Sequence, residues 1–182
     1  MIGLGILGII IFLGLIGIKY YNKFINLNEK VKKSWSQIDV QLQRRMDLIP
    51  NLVETVKGYA SHEKETLENV MKARNSYLTA NSQGEKIKAN NEMSGFLSRI
   101  MAISESYPNL KADINFLNLQ KQLEETEDKI GASRQSYNDS VTFYNQSIKM
   151  FPGNIIAGMF NFKEADLFVA NEEARKNIKV SF

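Results

Sequence analysis

Residues 27–59 read LNEKVKKSWSQIDVQLQRRMDLIPNLVETVKGY, from Leu27 to Tyr59, and the spacing of their apolar side chains decides the fold. Leu27, Val31, Trp35, Ile38, Leu42, Met46, Ile49, Val53, Val56 and Tyr59 recur at steps of three and four, the period of a helix with one buried face. Nowhere does the chain sustain a period of two, so the fold class is all-α. Pro50 falls inside this run. It removes a backbone donor and crowds the preceding turn, which predicts a kink or short break there, with Asp47 capping the continuation. The register passes through Pro50 unshifted, so helix is expected to about Ala80, ahead of the turn cluster Asn81-Ser82-Gln83-Gly84.

A shorter helix follows from about Glu85 to Ser104, with Ile87, Leu97, Ile100 and Met101 on one face, before Tyr107-Pro108 ends it. The next stripe is longer: Phe116, Leu119, Leu123, Thr126, Ile130, Ser133, Tyr137, Ser140, Tyr144, Ser147 and Phe151. A helix from Ala112 to Met150 would be roughly 58 Å long at about 1.5 Å per residue. Such a stripe needs a partner of equal length, and the Val31–Tyr77 stretch supplies one, which predicts an elongated antiparallel bundle. Pro152-Gly153 stops the long helix, and Asn154 is a candidate cap for a short apolar segment, Ile155 to Phe162. That segment is expected to plug the end of the bundle rather than lie on a membrane, because it lacks a basic face. Ile178-Lys179-Val180-Ser181-Phe182 is too short to classify.

Ahead of the bundle, Ile2 to Ile18 carry no charged side chain, and as a helix they span roughly 26 Å, close to a hydrocarbon core of about 30 Å. Nothing basic precedes this run, and Lys19-Tyr20-Tyr21 follows it, so it reads as an uncleaved anchor rather than a secretory signal. Tyr20 and Tyr21 suit the interface, with Lys19 and Lys23 reaching for head groups. Lys19, Lys23, Lys30, Lys32 and Lys33 all lie after the span, which places the N-terminus outside and the bundle in the cytoplasm by the positive-inside rule. Gly3-Leu4-Gly5-Ile6-Leu7-Gly8 matches G-x-G-x-x-G, but no strand can precede residue 3, so no dinucleotide site is expected.

Composition removes several activities. The 182 residues leave no room for a two-domain enzyme. A net charge of +3 from 23 basic and 20 acidic residues is too balanced for a nucleic-acid binder. With no cysteine and His62 alone, thiolate nucleophiles and Cys- or His-based zinc sites cannot be assembled. Di-iron bundles need two Glu-x-x-His motifs, and His62-Glu63-Lys64-Glu65-Thr66 departs from H-E-x-x-H at Thr66. The glutamates at 124, 125 and 127 read as a solvated face paired with Lys121 and Lys129.

Polar residues interrupt both stripes. Arg44, Arg45, Asp47 and Asn51 fall beside the first, and Glu127, Arg134, Asn138 and Asn145 line the second at spacings of seven, four and seven. Packed together, they would form one interhelical network that fixes register and partner choice. A catalytic cluster is the weaker reading, since no nucleophile and base accompany it.

The run from Arg44 through Pro50-Asn51-Leu52 to Ala60 resembles the signature of the bacterial LemA family. So do Trp35 to Leu42 and the later positions Thr126-Glu127, Ile130, Arg134, Tyr137-Asn138, Val141, Tyr144-Asn145, Ile148 and Phe151-Pro152. The resemblance covers nearly the whole chain. It implies a single-pass membrane protein whose all-α domain is similar to a four-helix up-and-down bundle, and it brings no established activity. Relatives have been linked to membrane proteases of the HtpX type and to magnetosome membranes, and some begin with a lipoprotein-like signal that would hold the bundle outside the cytoplasm.

The expected organisation is therefore an anchor at 1–18, a basic juxtamembrane helix at 19–33, the bundle at 34–151 and a closing C-terminal region at 152–182. The expected role is a membrane-anchored, self-associating scaffold without enzymatic activity or cofactor. Its partners would be the bilayer through residues 1–23, further copies of the chain, and a membrane protease or other membrane protein. The alternative is a membrane-organising protein that oligomerises on the bilayer.

Overall fold

The computed structural model describes residues 2–168 of the chain. Its regular elements are all helices: α1 Ile2–Tyr59, α2 Lys64–Leu78, α3 Gln83–Ser106, α4 Pro108–Lys111, α5 Ile114–Lys149 and α6 Gly153–Met159. The all-α fold is as the periodicity predicts. The contacts divide into two compact units, a first holding α1 up to Ile38 with the chain from Ala132, and a second holding Asp39–Gly131. The tail at 178–182 lies outside the described residues.

In the second unit α1 does not break at Pro50; it stays helical to Tyr59. The missing N–H at Pro50 leaves the Met46 carbonyl without its intrahelical donor, and Arg74 Nε donates to that oxygen at 3.0 Å. Asp47 is correspondingly no cap, its carboxylate accepting instead from Gln43 Nε2 at 2.9 Å. The reversal comes later, at Ala60–Glu63, so the single helix expected to reach Ala80 is two. Leu52 is fully buried and Val53 only partly, which moves the stripe by one residue between Ile49 and Val56.

The chain then runs back. Arg74 meets Met46, and the Tyr77 hydroxyl donates to Asp39 Oδ1 at 2.9 Å, so α2 is antiparallel to α1. Ser82 and Glu85 cap α3 reciprocally: the Ser82 hydroxyl accepts from the Glu85 N–H, and the Glu85 carboxylate accepts from the Ser82 N–H. Lys86 beside Asp39 and Asn90 beside Arg45 then set α3 parallel to α1. Pro108 starts the single turn of α4, and Asp113 caps α5 by accepting from the N–H groups of Asn115 and Phe116, each at 2.9 Å. Leu42, Met46, Ile49, Leu52 and Val56 bury with Leu67, Val70 and Tyr77, with Met93, Leu97 and Ile100, and with Phe116, Leu119, Leu123 and Ile130. Each such side chain contributes about 1.5–3 kcal/mol when fully buried. Four helical segments in up-and-down order result, as the resemblance implies.

In the first unit the apolar start of α1 is exposed through Leu15 and Ile18. Phe24, Val31, Ser34 and Ile38 bury further along, with Tyr137, Val141, Tyr144 and Ile148 of α5. The Ser34 and Ser140 hydroxyls lie 3.0 Å apart, and Trp35 meets Tyr137 edge-on with ring centres 5.7 Å apart. The expected stripe fails at Phe151, which is 81% exposed because α5 has already ended at Lys149. Asn154 does not cap α6, which starts one residue earlier, at Gly153, without a side-chain cap. A Cβ on Gly153 would stand 2.6 Å from the Ser147 carbonyl oxygen and 3.0 Å from Phe24 Cζ, so only glycine permits this approach. Asn161, in the left-handed region at φ 56°, closes α6. The Phe162 N–H reaches back to the Ala157 carbonyl and the Asn161 N–H to that of Gly158, a Schellman ending.

Candidate functional site

Three places gather the residues singled out by the sequence, and the first lies in the second unit. Arg45 is buried on α1, its Nη1 2.7 Å from Glu127 Oε2 of α5 and donating to Asn90 Oδ1 of α3 at 2.9 Å. Three helices are thus joined by one guanidinium, whose planar fork of donors suits such a contact. Asp39 holds a similar position, accepting from both Lys86 Nζ at 2.7 Å and the Tyr77 hydroxyl. Burial first, then the bond to Asp39, pushes the Tyr77 hydroxyl far above the ordinary tyrosine range. At the opposite end Tyr59 donates to Asp113 at 2.9 Å. Asp113 is held below the usual carboxylate range, chiefly by the Phe116 N–H and then by Tyr59. These groups are locked as donors and acceptors, which suits positioning rather than proton transfer.

Arg44, Asp47 and Asn51 stay outside that cluster, all three exposed. Arg45 and Glu127 are brought together. The remaining residues of the set, Arg134, Asn138 and Asn145, act on an extended strap, residues 163–168 of the first unit.

Each asparagine holds one strap residue at both backbone groups. Asn145 accepts from the Ala165 N–H at 2.9 Å and donates to its carbonyl at 2.8 Å. Asn138 does the same for Phe168, at 2.8 and 3.1 Å. Seven helical residues rise about 10.5 Å and three extended ones about 10 Å, so a heptad pair of asparagines matches every third strap residue. The tyrosines beside them, Tyr144 and Tyr137, donate to the Lys163 and Asp166 carbonyls, each at 2.9 Å. Burial raises both hydroxyls, with the Asp166 charge adding to Tyr137. Phe168 is clamped between Trp35, stacked at 6.3 Å, and the Arg134 guanidinium, 4.6 Å from its ring centre.

The third place adjoins the apolar start of α1, the one helix among the described residues long and apolar enough to cross a membrane by length and composition. Tyr21 of the anchor set packs on Phe160 and Phe162, with ring centres 4.8 and 5.7 Å apart, and Lys23 Nζ stands 5.9 Å over the Tyr20 ring. Ile18 and Lys19 are exposed. Apart from these, a groove of about 690 Å³ opens in the second unit between the end of α1 and α2, with Val53, Leu67 and Met71 in its lining and three lysines, Lys57, Lys64 and Lys72, against one carboxylate, Glu68.

The LemA family model matches residues 34–182, which include the Arg45 cluster and the asparagine clasp. The chain belongs to the LemA family. Among curated proteins this LemA chain is similar to Magnetosome protein MamQ 2 of Paramagnetospirillum magneticum, at 25% identity over 91% of the chain and 70% of the relative. It is also similar to Magnetosome protein MamQ of Magnetospirillum gryphiswaldense, at 24% identity over 92% and 71%. Protein LemA of Metamycoplasma hominis matches at 23% over 95% of this chain and 82% of its own.

Sequence reasoning missed Asn90, Asp39, Tyr77 and Phe168. Asn90 carried a signal: it lies three residues before Met93 and seven before Leu97, on the buried face of α3. Phe168 carried none, because an extended strap has no helical period to read.

Proposed function

We propose that this LemA-family protein is a membrane-anchored, self-associating helical scaffold without enzymatic activity. The apolar start of α1 and the magnetosome proteins among its relatives support a membrane protein. The lysine distribution supports a bundle on the cytoplasmic side. The observation that carries the scaffold reading is the groove between α1 and α2, an apolar floor of Val53 and Met71 under the three lysines 57, 64 and 72. An acidic amphipathic helix from a partner fits it, with apolar anchors on the floor and carboxylates at the lysine rim.

A photo-cross-linking side chain at Met71 in the full-length membrane protein tests this. A defined adduct is expected, either with one partner or with a second copy. The exposed triple change Lys57→Glu, Lys64→Glu, Lys72→Glu should reduce it at least tenfold while leaving helical content unchanged. An adduct indifferent to the triple change, or no adduct at all, would overturn the reading. The second reading, a membrane-organising protein, is favoured by the exposed apolar side chains of α6.

A further inference from the structure

We propose that α6, together with Phe151, is a membrane-embedded foot, its outer face and the groove beside α1 being filled by the acyl chains of the surrounding bilayer. The proposal rests on the reading of the N-terminal apolar run as a membrane span. It goes beyond that reading by adding a second, non-spanning element to the lipid contact.

The composition of α6 is the first ground. Its seven residues, Gly-Asn-Ile-Ile-Ala-Gly-Met, contain one polar side chain, Asn154. Helices apolar on all sides belong in a protein interior or in lipid, and α6 is not in an interior. Only Gly153 and Ala157 are buried, while Ile155 and Phe160 are about half exposed and Met159 is 73% exposed. Phe151 and Met150, immediately before it, are also exposed. Scattered surface apolar residues need no explanation, but five large ones within eleven residues form a contiguous patch of the kind that marks an interaction surface.

Its neighbour says what covers that patch. The groove beside α6, about 590 Å³, is lined by Leu13, Gly17 and Tyr21 of α1 and by Ile155, Met159 and Phe160. A Cβ on Gly17 would lie 3.8 Å from Ile156 Cδ1, so α6 rests directly on the last turns of the apolar run. Elements packed side by side share one depth. If Leu13 to Ile18 are in hydrocarbon, the outer face of α6 cannot be in water.

The exposed Lys19 and the Tyr20–Lys23 pair sit next to the same turns, where head groups would be met. The missing basic face, which argued from sequence against a surface helix, is then expected: charge is supplied by α1, and α6 supplies only apolar area.

The absence of cysteine makes the test direct. Full-length protein carrying Met159→Cys, labelled with an environment-sensitive fluorophore, is reconstituted into phosphatidylcholine–phosphatidylglycerol vesicles containing lipids with a nitroxide high or low on the acyl chain. Leu15→Cys reports the span and Ser98→Cys, exposed on α3, reports a polar reference. The probe at 159 should be quenched by the shallow nitroxide at least twofold more than the probe at 98, and Ile155→Cys should behave alike. Quenching at 15 but not at 159 or 155 would overturn the foot and leave the span intact. A probe at 15 that escapes quenching would overturn both.

Discussion

Pro50 is tolerated inside a 58-residue helix because another side chain supplies what its ring removes. Arg74 donates to the orphaned Met46 carbonyl, and Met46 is fully buried, so without that donor the oxygen would have no ready access to water. Arg74→Met keeps the apolar stem and deletes the donor, and should destabilise the fold by about 1–2 kcal/mol. In a Pro50→Ala background residue 50 regains its N–H and bonds Met46 itself, so the same change should matter less, with a coupling of about 1 kcal/mol. Denaturant unfolding of the full chain in detergent, followed by circular dichroism, gives all four corners of the cycle, and additive effects would refute the pairing. The sequence displayed Pro50 and its unbroken register but not Arg74, since helical period says which face a residue is on and nothing about which distant carbonyl it meets. For the same reason Arg45 and Glu127 were legible as polar interruptions, whereas the Asn90 partner of Arg45 and the strap held by Asn138 and Asn145 were not.

At the scale of elements, α1, α3 and α5 were readable because each carries a three-four stripe, and the turn ahead of α3 was readable from Asn81-Ser82-Gln83-Gly84, although Ser82 caps a helix that already starts at Gln83. The reversal at Ala60–Glu63 was not: it contains no proline, and Ala60 continues the α1 stripe at four residues from Val56. The strap at 163–168 lay further out of reach, since its order comes from side chains of α5. Asn138 and Asn145 hold backbone groups alone, so the strap's sequence matters little to them, and the clasp works by spacing. Asn138→Ala with Asn145→Ala removes the acceptors of the Phe168 and Ala165 N–H groups. Hydrogen exchange at these two amides should accelerate roughly 10–100-fold, the equivalent of about 1–3 kcal/mol of lost protection. Asn→Asp at both positions keeps the acceptors and deletes the donors, so protection should fall by a smaller factor. Exchange unchanged by the alanine pair would show that the Phe168 packing on Trp35 and Arg134, with the Tyr137 and Tyr144 bonds to Asp166 and Lys163, orders the strap without the asparagines.

For the whole molecule the deciding question is which side of the membrane the helices after the span occupy. Five lysines between residues 19 and 33 follow the apolar run closely, and such a cluster favours the cytoplasmic side. The lysines must also be accessible to act as topological signals, and Lys19, Lys23, Lys30, Lys32 and Lys33 are all exposed, Lys32 pairing with Glu29 at 2.8 Å. Such surface pairs contribute little, so the basic excess stands. A single reporter thiol settles the side, and the structure says where to put it. Ser82 is the obvious turn residue by sequence, but its hydroxyl caps α3, and replacing it would weaken that helix. The neighbouring Asn81 is exposed and contributes to the turn through its backbone N–H, which donates to Glu85 at 2.7 Å and survives substitution. Asn81→Cys should therefore fold as the parent does and escape a membrane-impermeant thiol reagent on intact cells. It should be labelled fully once the cells are opened. Labelling before opening would place the helices outside, mean that charge does not set orientation in this chain, and move the search for the helix that fills the α1–α2 groove to the envelope.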